Sequence, residues 1–146
     1  MDAVLCCLGM NNIAVPATDF SESVRHIVRA MELAPNRRLL AIAWAGVLPH
    51  LTGGYRNKEG LPQYLIHVSA EHVRNYETLR DSSLDWTLMC PAFLKDDIPV
   101  GRGRFEFEGL PQGSNETGYG DLAHTIVELI SVSASHRKRV GIVSDR

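Results

Sequence analysis

The hydrophobic positions of this chain fall into short continuous runs that alternate with stripes of helical spacing. Three runs are continuous and apolar: residues 3–8, which Gly9 closes, residues 38–43 and residues 86–90. Such runs are typical of strands that are covered on both faces of a sheet. Residues 104–108 alternate strictly between apolar and polar positions, which predicts a half-exposed strand at the margin of the sheet.

Between these runs the apolar positions follow helical spacing. Asp19 and Glu22, three residues apart, predict a capping box at the start of a first helix. Residues 66–79 and 121–132 predict two further helices, and residues 45–62 predict a loop. The apolar stripe of the first helix consists of Val24, Ile27, Val28 and Met31.

The order of these segments predicts the class of fold. Pro91 is expected to stop the third strand, and residues 139–143 predict a last strand. Strands that alternate with helices of about 12 residues or more require crossover connections, which join parallel strands. The chain is therefore predicted to be an α/β protein with a mostly parallel sheet.

Composition narrows the classes of function and location. The 146 residues suffice for one domain, and 45% hydrophobic with 22% charged residues excludes a disordered or fibrous chain. A net charge of -2 gives no reason to expect nucleic acid or an anionic membrane as partner, and no apolar stretch approaches the ~20 residues that span a bilayer.

The three cysteines, Cys6, Cys7 and Cys90, are too few for a disulfide scaffold, so we expect buried thiols in a reducing cytoplasm. The histidines share no metal-ligand spacing, and no metal is expected.

Residues 79–94, with the sequence LRDSSLDWTLMCPAFL, resemble a stretch of the atypical short-chain dehydrogenases. In that family, which includes NmrA-like proteins and the flavin reductase/biliverdin-IXβ reductase group, the stretch reads LR-x-SGLDWT-x-x-RPP-x-L. Residues 1–9 look like the family's fourth strand, and residues 24–45 are similar to the following helix and fifth strand. The resemblance implies a Rossmann-type, doubly wound NAD(P)-binding domain over residues 1–146, with NADP or NAD as the cofactor.

The chain departs from the family pattern at its front. The family begins with three strands and a glycine-rich turn, whose backbone N–H groups approach the pyrophosphate, and no G-x-G-x-x-G occurs in this sequence. We therefore expect an incomplete, truncated Rossmann-like domain that lacks strands 1–3. The strand at residues 3–8 would then lie at an open sheet edge, where we expect self-association.

The resemblance also implies a set of site residues at the carboxyl ends of the strands. Trp44 and Phe93 are expected to contact a flat substrate, although Trp44 could equally fill the crevice, and Gly9 could simply terminate its strand. His72 is the only candidate for a catalytic group, with a ribose contact or a plain helix-surface position as the alternatives. The expected cofactor-binding residues are Leu8, Gly9, Met10, Ala43, Trp44, His72, Cys90, Pro91, Ala92 and Phe93.

Two functions remain open from the sequence. The first is an NAD(P)-dependent oxidoreductase of the flavin/biliverdin reductase type, in which a hydride passes to a flat conjugated acceptor. The second is a non-catalytic NAD(P)-sensing or regulatory protein of NmrA-like type, or a truncated isoform without cofactor binding. Val68 stands where the resemblance would place the family's proton-donating tyrosine, and valine has no proton to donate.

Overall fold

The computed structural model describes residues 2–146, which contain seven strands and three α-helices. The helices are α1 (Asp19–Glu32), α2 (Ile66–Asp81) and α3 (Tyr119–Leu129). The strands are β1 (Val4–Cys6), β2 (Arg38–Ile42), β3 (Asp85–Pro91), β4 (Phe93–Lys95), β5 (Gly103–Phe107), β6 (Glu116–Gly118) and β7 (Lys138–Ser144).

Five of these strands form one sheet in the order β1-β2-β3-β7-β5. In this sheet β1, β2, β3 and β7 are parallel, with Val4 opposite Leu39 and Leu40 opposite Thr87. The strand β5 pairs with β7 antiparallel. The expected α/β fold with a mostly parallel sheet is confirmed. The alternating strand β5 lies at the margin of the sheet, as its pattern predicted.

Both faces of the sheet are covered, which explains the continuous apolar runs. Leu39 and Ala41 point to the face covered by α1 and α2, and Leu40 and Ile42 point to the face covered by α3. Successive side chains of a strand alternate in this way, so a run must be apolar throughout when helices lie on both sides.

The start of α1 differs from the predicted capping box. Thr18, not Asp19, is the residue before the first helical turn, and its side chain makes no capping hydrogen bond. The backbone N–H of Ser21 donates instead to the carboxylate of Glu71 on α2, at 2.7 Å. A free N–H group of the first turn is therefore satisfied from a neighbouring helix, which the local sequence could not indicate.

The strand β3 ends at Pro91, as expected, although the proline belongs to the strand itself. Pro91 is its last residue and pairs with Ile142 of β7. The last pair between β3 and β2 joins Met89 to Ile42, so Pro91 lies beyond the end of β2. Its missing N–H group therefore costs no hydrogen bond to β2.

Other local predictions need smaller corrections. Cys7 is exposed, whereas Cys6 and Cys90 are buried as expected. The segment predicted as a loop at residues 45–62 contains two short 3-10 turns, Ala45–Val47 and Arg56–Glu59. Strands β4 and β6 were not predicted, because each has only three residues and they pair only with each other in a separate two-stranded sheet.

Candidate functional site

The carboxyl ends of β1, β2 and β3 meet at one edge of the sheet. Cys6 pairs with Ala41, and Ala41 pairs with Leu88, so these three strands are parallel neighbours in register. The segments that follow them emerge side by side, and this is the edge at which ligands bind in open parallel α/β sheets. All of the predicted site residues except His72 lie at these strand ends or within four residues after them.

The segment after β1 leaves its backbone accessible. Leu8 is 45% exposed, and Met10 packs against the core on the α1–α2 face. No atom lies within 4 Å of the point where a Cβ on Gly9 would stand. A ligand can therefore approach the backbone at Gly9 closely.

Trp44 follows β2 and folds back onto its own chain. The N–H of Ala43 donates to the carbonyl of Met89 at 2.8 Å, which extends the pairing of β2 with β3 by one residue. A Cβ on Gly46 would lie 2.1 Å from the Trp44 ring, so the ring occupies the space beside that glycine. The Nε1 of Trp44 is buried and has no hydrogen-bond partner among the described residues. The Trp44 indole therefore fills the crevice and retains one unused donor.

The backbone N–H groups of the segment after β3 hold it in place through hydrogen bonds to neighbouring segments. The N–H of Ala92 lies within hydrogen-bonding distance of the Ile142 carbonyl (3.1 Å) and of Thr117 Oγ1 (3.0 Å), and the N–H of Phe93 donates to Asn115. These N–H groups are already used, whereas the Phe93 ring is 54% exposed. Cys90 is fully buried, and burial raises the pKa of its thiol, so it is no nucleophile.

His72 lies in the layer between α2 and α1. Its ring packs edge-on against Phe20 with 5.3 Å between the ring centroids, and its Nδ1 is buried without a partner among residues 2–146. Burial lowers the pKa of His72 to about 4, so the ring is neutral near pH 7. Val68 lies one turn earlier on α2.

A buried carboxylate next to His72 was missed by sequence reasoning. Glu71 is fully buried and accepts hydrogen bonds from the Ser21 hydroxyl at 2.8 Å and from Arg74 at 2.7 Å, besides the Ser21 N–H. Burial by itself would raise the pKa of Glu71, but these hydrogen bonds outweigh it and hold the pKa below its ordinary value. The carboxylate joins α1 to α2 and so fixes the position of His72. A glutamate on the packed side of a helix is the only signal of it in the sequence.

A cavity of about 540 Å³ lies between residues 48–59, which follow β2, and residues 106–114, which comprise the end of β5 and the loop after it. It is linked to the site through Ser114, which lines it and is followed by Asn115, whose carbonyl accepts the Phe93 N–H. Sequence analysis did not indicate it. The side chains that line it include His50, Arg56, Glu59, Glu106, Glu108, Gln112, Leu48, Leu110 and Pro111.

Residues 2–146 show neither a metal-binding cluster nor a membrane-spanning helix. No group of three or more histidine, cysteine or acidic side chains among them is placed to hold a metal ion. None of the helices described has both the length and the apolar character that a membrane crossing requires.

The sheet order and the position of the crevice define a Rossmann-like α/β fold. The model of the NAD(P)H-binding family matches residues 1–132, which is most of the sequence. The chain belongs to this NAD(P)H-binding family.

Solved structures share the fold at low sequence identity. A provisionally named exported protein from Burkholderia pseudomallei is 24% identical with a TM-score of 0.83, and the match covers 97% of this chain and 71% of that one. A provisionally named NADH-flavin reductase from Streptococcus pneumoniae is 18% identical with a TM-score of 0.79, covering 99% and 72%. A short-chain dehydrogenase/reductase from Veillonella parvula, solved in complex with NADP, is 17% identical with a TM-score of 0.63, covering 96% and 62%. The chain thus spans about two thirds of the length of these proteins.

Proposed function

We propose that this chain forms one NAD(P)-binding domain over residues 1–146 and serves an NAD(P)H-dependent reductase of the flavin/biliverdin reductase type. The observation that carries the proposal is the shared edge of β1, β2 and β3, where the backbone at Gly9 is open to a ligand. Membership of an NAD(P)H-binding family supports a dinucleotide at this edge. The names of two similar structures, an NADH-flavin reductase and a complex with NADP, agree with it.

The described residues fit one half of the cofactor. The unused Trp44 Nε1 is a buried polar atom that a nicotinamide ribose or carboxamide could satisfy, and Phe93 offers an exposed ring to a flat group. A ribose contact of His72 stays a prediction, since its Nδ1 is buried in the layer between α1 and α2. Leu8, Gly9 and Met10 would lie along the adenosine side, and residues 90–92 would back the nicotinamide. Residues 2–146 contain no glycine-rich turn from strand to helix for the pyrophosphate, so we expect weak binding by this chain.

The protein groups would orient the reactants and exclude water. When bound, the reduced nicotinamide supplies a hydride, that is two electrons with one proton, to the conjugated acceptor and is itself left oxidised. The second proton that the reduced acceptor needs would come from water, because Val68 has no proton and His72 is neutral near pH 7. The role of Phe93 is to cover one face of the flat acceptor.

Val68 also favours a second candidate function, a non-catalytic NAD(P)-sensing or regulatory protein. Such a protein needs the cofactor crevice but no proton donor. The two functions differ in one measurement, the loss of NADPH absorbance when a flavin is added to the protein. Oxidation that requires the protein supports the reductase, whereas binding without oxidation supports the sensor.

The cofactor site is tested by titrating the protein with NADPH and NADH and following its melting temperature and the NADPH fluorescence. We expect saturable binding, and Gly9→Val should raise the Kd for NADPH by about tenfold because a side chain would occupy the approach to the backbone. The open space around Gly9 predicts an unchanged melting temperature for the unliganded variant. Ala123→Val, on the exposed side of α3, is the matched control. An absence of any response at millimolar cofactor would refute the proposal.

A further inference from the structure

The cavity between residues 48–59 and residues 106–114 has two ordered walls. On the first, Pro49 pairs with Tyr55 and the N–H of Arg56 donates to the Leu48 carbonyl at 2.8 Å. On the second, the N–H of Glu108 donates to the Arg139 carbonyl at 2.8 Å, and Ser114 Oγ donates to Ser144. The side chains on these walls are therefore presented from fixed backbone.

Most of the charged groups in the cavity already have partners. Glu108 forms an ion pair with Arg139 at 2.7 Å. The Nε2 of His50 lies 3.0 Å from Glu59, while its Nδ1 accepts the N–H of Thr52, so Nε2 carries the proton and donates it to Glu59.

Two charged side chains of the lining are left unused. The Arg56 guanidinium and the Glu106 carboxylate belong to solvent-exposed residues and make no hydrogen bond or ion pair with any residue in the described range 2–146, so water is what a ligand would displace from them. One is a donor and the other an acceptor, and they line the same cavity. Leu48, Leu110 and Pro111 provide apolar surface between the polar groups.

The balance of charge in the cavity is negative. The lining contains three glutamates and one arginine. Arg139, which pairs with Glu108, neutralises a second carboxylate, so one carboxylate remains in excess. A phosphate or carboxylate group would therefore be repelled. Neighbouring hydroxyl groups suit the cavity, because one can accept from a guanidinium while the next donates to a carboxylate.

We propose that this cavity binds an uncharged, polyhydroxylated part of the reductase substrate, with Arg56 and Glu106 as the residues that recognise adjacent hydroxyl groups. The proposal rests on the proposed function, since the flat ring of the acceptor would lie beside Phe93 and its hydroxylated part would extend along residues 106–114. The volume of about 540 Å³ is within the usual range for small-molecule sites.

Three flavins that differ only in the part attached to the ring test this proposal. Lumiflavin carries a methyl group in place of the polyol chain, riboflavin has the chain, and FMN adds a phosphate to it. We expect the protein to bind riboflavin about tenfold more tightly than either of the others, measured by quenching of flavin fluorescence. Ribitol is the polyol chain alone, without a ring, and its binding to the cavity can be detected by saturation-transfer NMR.

Two variants assign the preference to the cavity. Arg56→Met and Glu106→Gln should each remove most of the difference in affinity between riboflavin and lumiflavin, and Glu106→Gln should also bring the affinity for FMN closer to that for riboflavin. Arg29→Met on α1 and Glu128→Gln on α3 are exposed controls that should leave the order of affinities intact. Circular dichroism melting confirms that each variant is folded.

The outcomes separate this proposal from the reductase function. Equal affinities for the three flavins, or a preference for FMN, would overturn the proposal while leaving the reductase intact. If no flavin binds, the reductase fails, but ribitol binding that is lost in Arg56→Met still supports the cavity assignment. If neither ribitol nor any of the three flavins binds, both the cavity assignment and the reductase function are refuted.

Discussion

His72 illustrates how burial changes the chemistry of a single residue. The resemblance placed it at the cofactor, and the periodicity of α2 left open whether it was exposed. In the structure its ring packs against Phe20, and burial lowers its pKa to about 4. The group is therefore an uncharged hydrogen-bonding residue at neutral pH. It is not a proton donor there.

The depressed pKa of His72 predicts a pH dependence of stability. The unfolded chain binds a proton at His72 near pH ~6.5, whereas the folded chain does so only near pH 4, so folding is opposed by protonation between these values. The contribution of His72 to the free energy of unfolding should fall on acidification through this range, by at most about 1.4 kcal/mol per pH unit. Urea unfolding at a series of pH values measures this slope.

The variant His72→Phe isolates the contribution of His72 to the pH dependence of the free energy of unfolding. It should flatten the dependence between pH 6.5 and 4, since phenylalanine does not titrate and can pack beside Phe20. The exposed His124 on α3, changed in the same way, serves as the reference. Equal slopes for the two variants would contradict the burial of His72.

At the scale of elements, a buried arginine ends α3. The guanidinium of Arg38, on β2, donates to the carbonyls of Leu129 and Ile130 at 2.8 and 2.9 Å, and also to Thr87 and Ser135. These carbonyls lie at the end of the helix, where no further turn supplies N–H donors, although the Leu129 carbonyl also accepts the Val132 N–H at 3.2 Å. The apolar pattern predicted a helix to residue 132, but α3 stops at Leu129, where Arg38 takes over its carbonyls.

We expect Arg38→Lys to lower the free energy of unfolding by about 2–3 kcal/mol. The ammonium group of lysine cannot reach all of these acceptors at once, so several charge-assisted hydrogen bonds at the end of α3 are lost. Arg29→Lys, on the exposed side of α1, should change stability by less than about 0.5 kcal/mol. Chemical denaturation followed by circular dichroism provides both values, and similar losses in the two variants would show that Arg38 does not act as the cap.

At the scale of the whole molecule, β1 leaves one edge of the sheet uncovered. Within residues 2–146 it pairs only with β2, and Leu5 and Leu8 are 47% and 45% exposed. An unpaired apolar edge strand is a template for pairing with another chain. The edge position follows the sequence-based expectation, and self-association through residues 3–8 remains a prediction.

Leu5→Lys tests that prediction, because a charge on an edge strand opposes pairing. We expect the protein of 146 residues to elute as oligomers in size-exclusion chromatography with light scattering, and Leu5→Lys to shift it toward the monomer. Val127→Lys, which is 71% exposed on α3, controls for added charge and should remain associated. A monodisperse wild-type monomer with cooperative melting would exclude association through β1.

The predicted parts of the site are those that depend on strand ends. Gly9, Trp44 and Pro91 could be placed at one edge of the sheet because each follows or ends an apolar run, and parallel strands bring their carboxyl ends together. The cavity beside them could not be placed, since its walls come from loops about 50 residues apart. Nothing in the local pattern of either loop indicates the other.

The sequence alone determined the type and order of the main elements, because apolar periodicity reports which faces of a strand or helix are covered. It also determined the parallel arrangement, which the crossover helices impose. Only the tertiary structure decided where α1 begins and α3 ends, what satisfies their free backbone groups, and which charges of the cavity remain unpaired. The reason is separation along the chain: Ser21 meets Glu71 across 50 residues and Arg38 meets Ser135 across 97, so these contacts leave no local pattern.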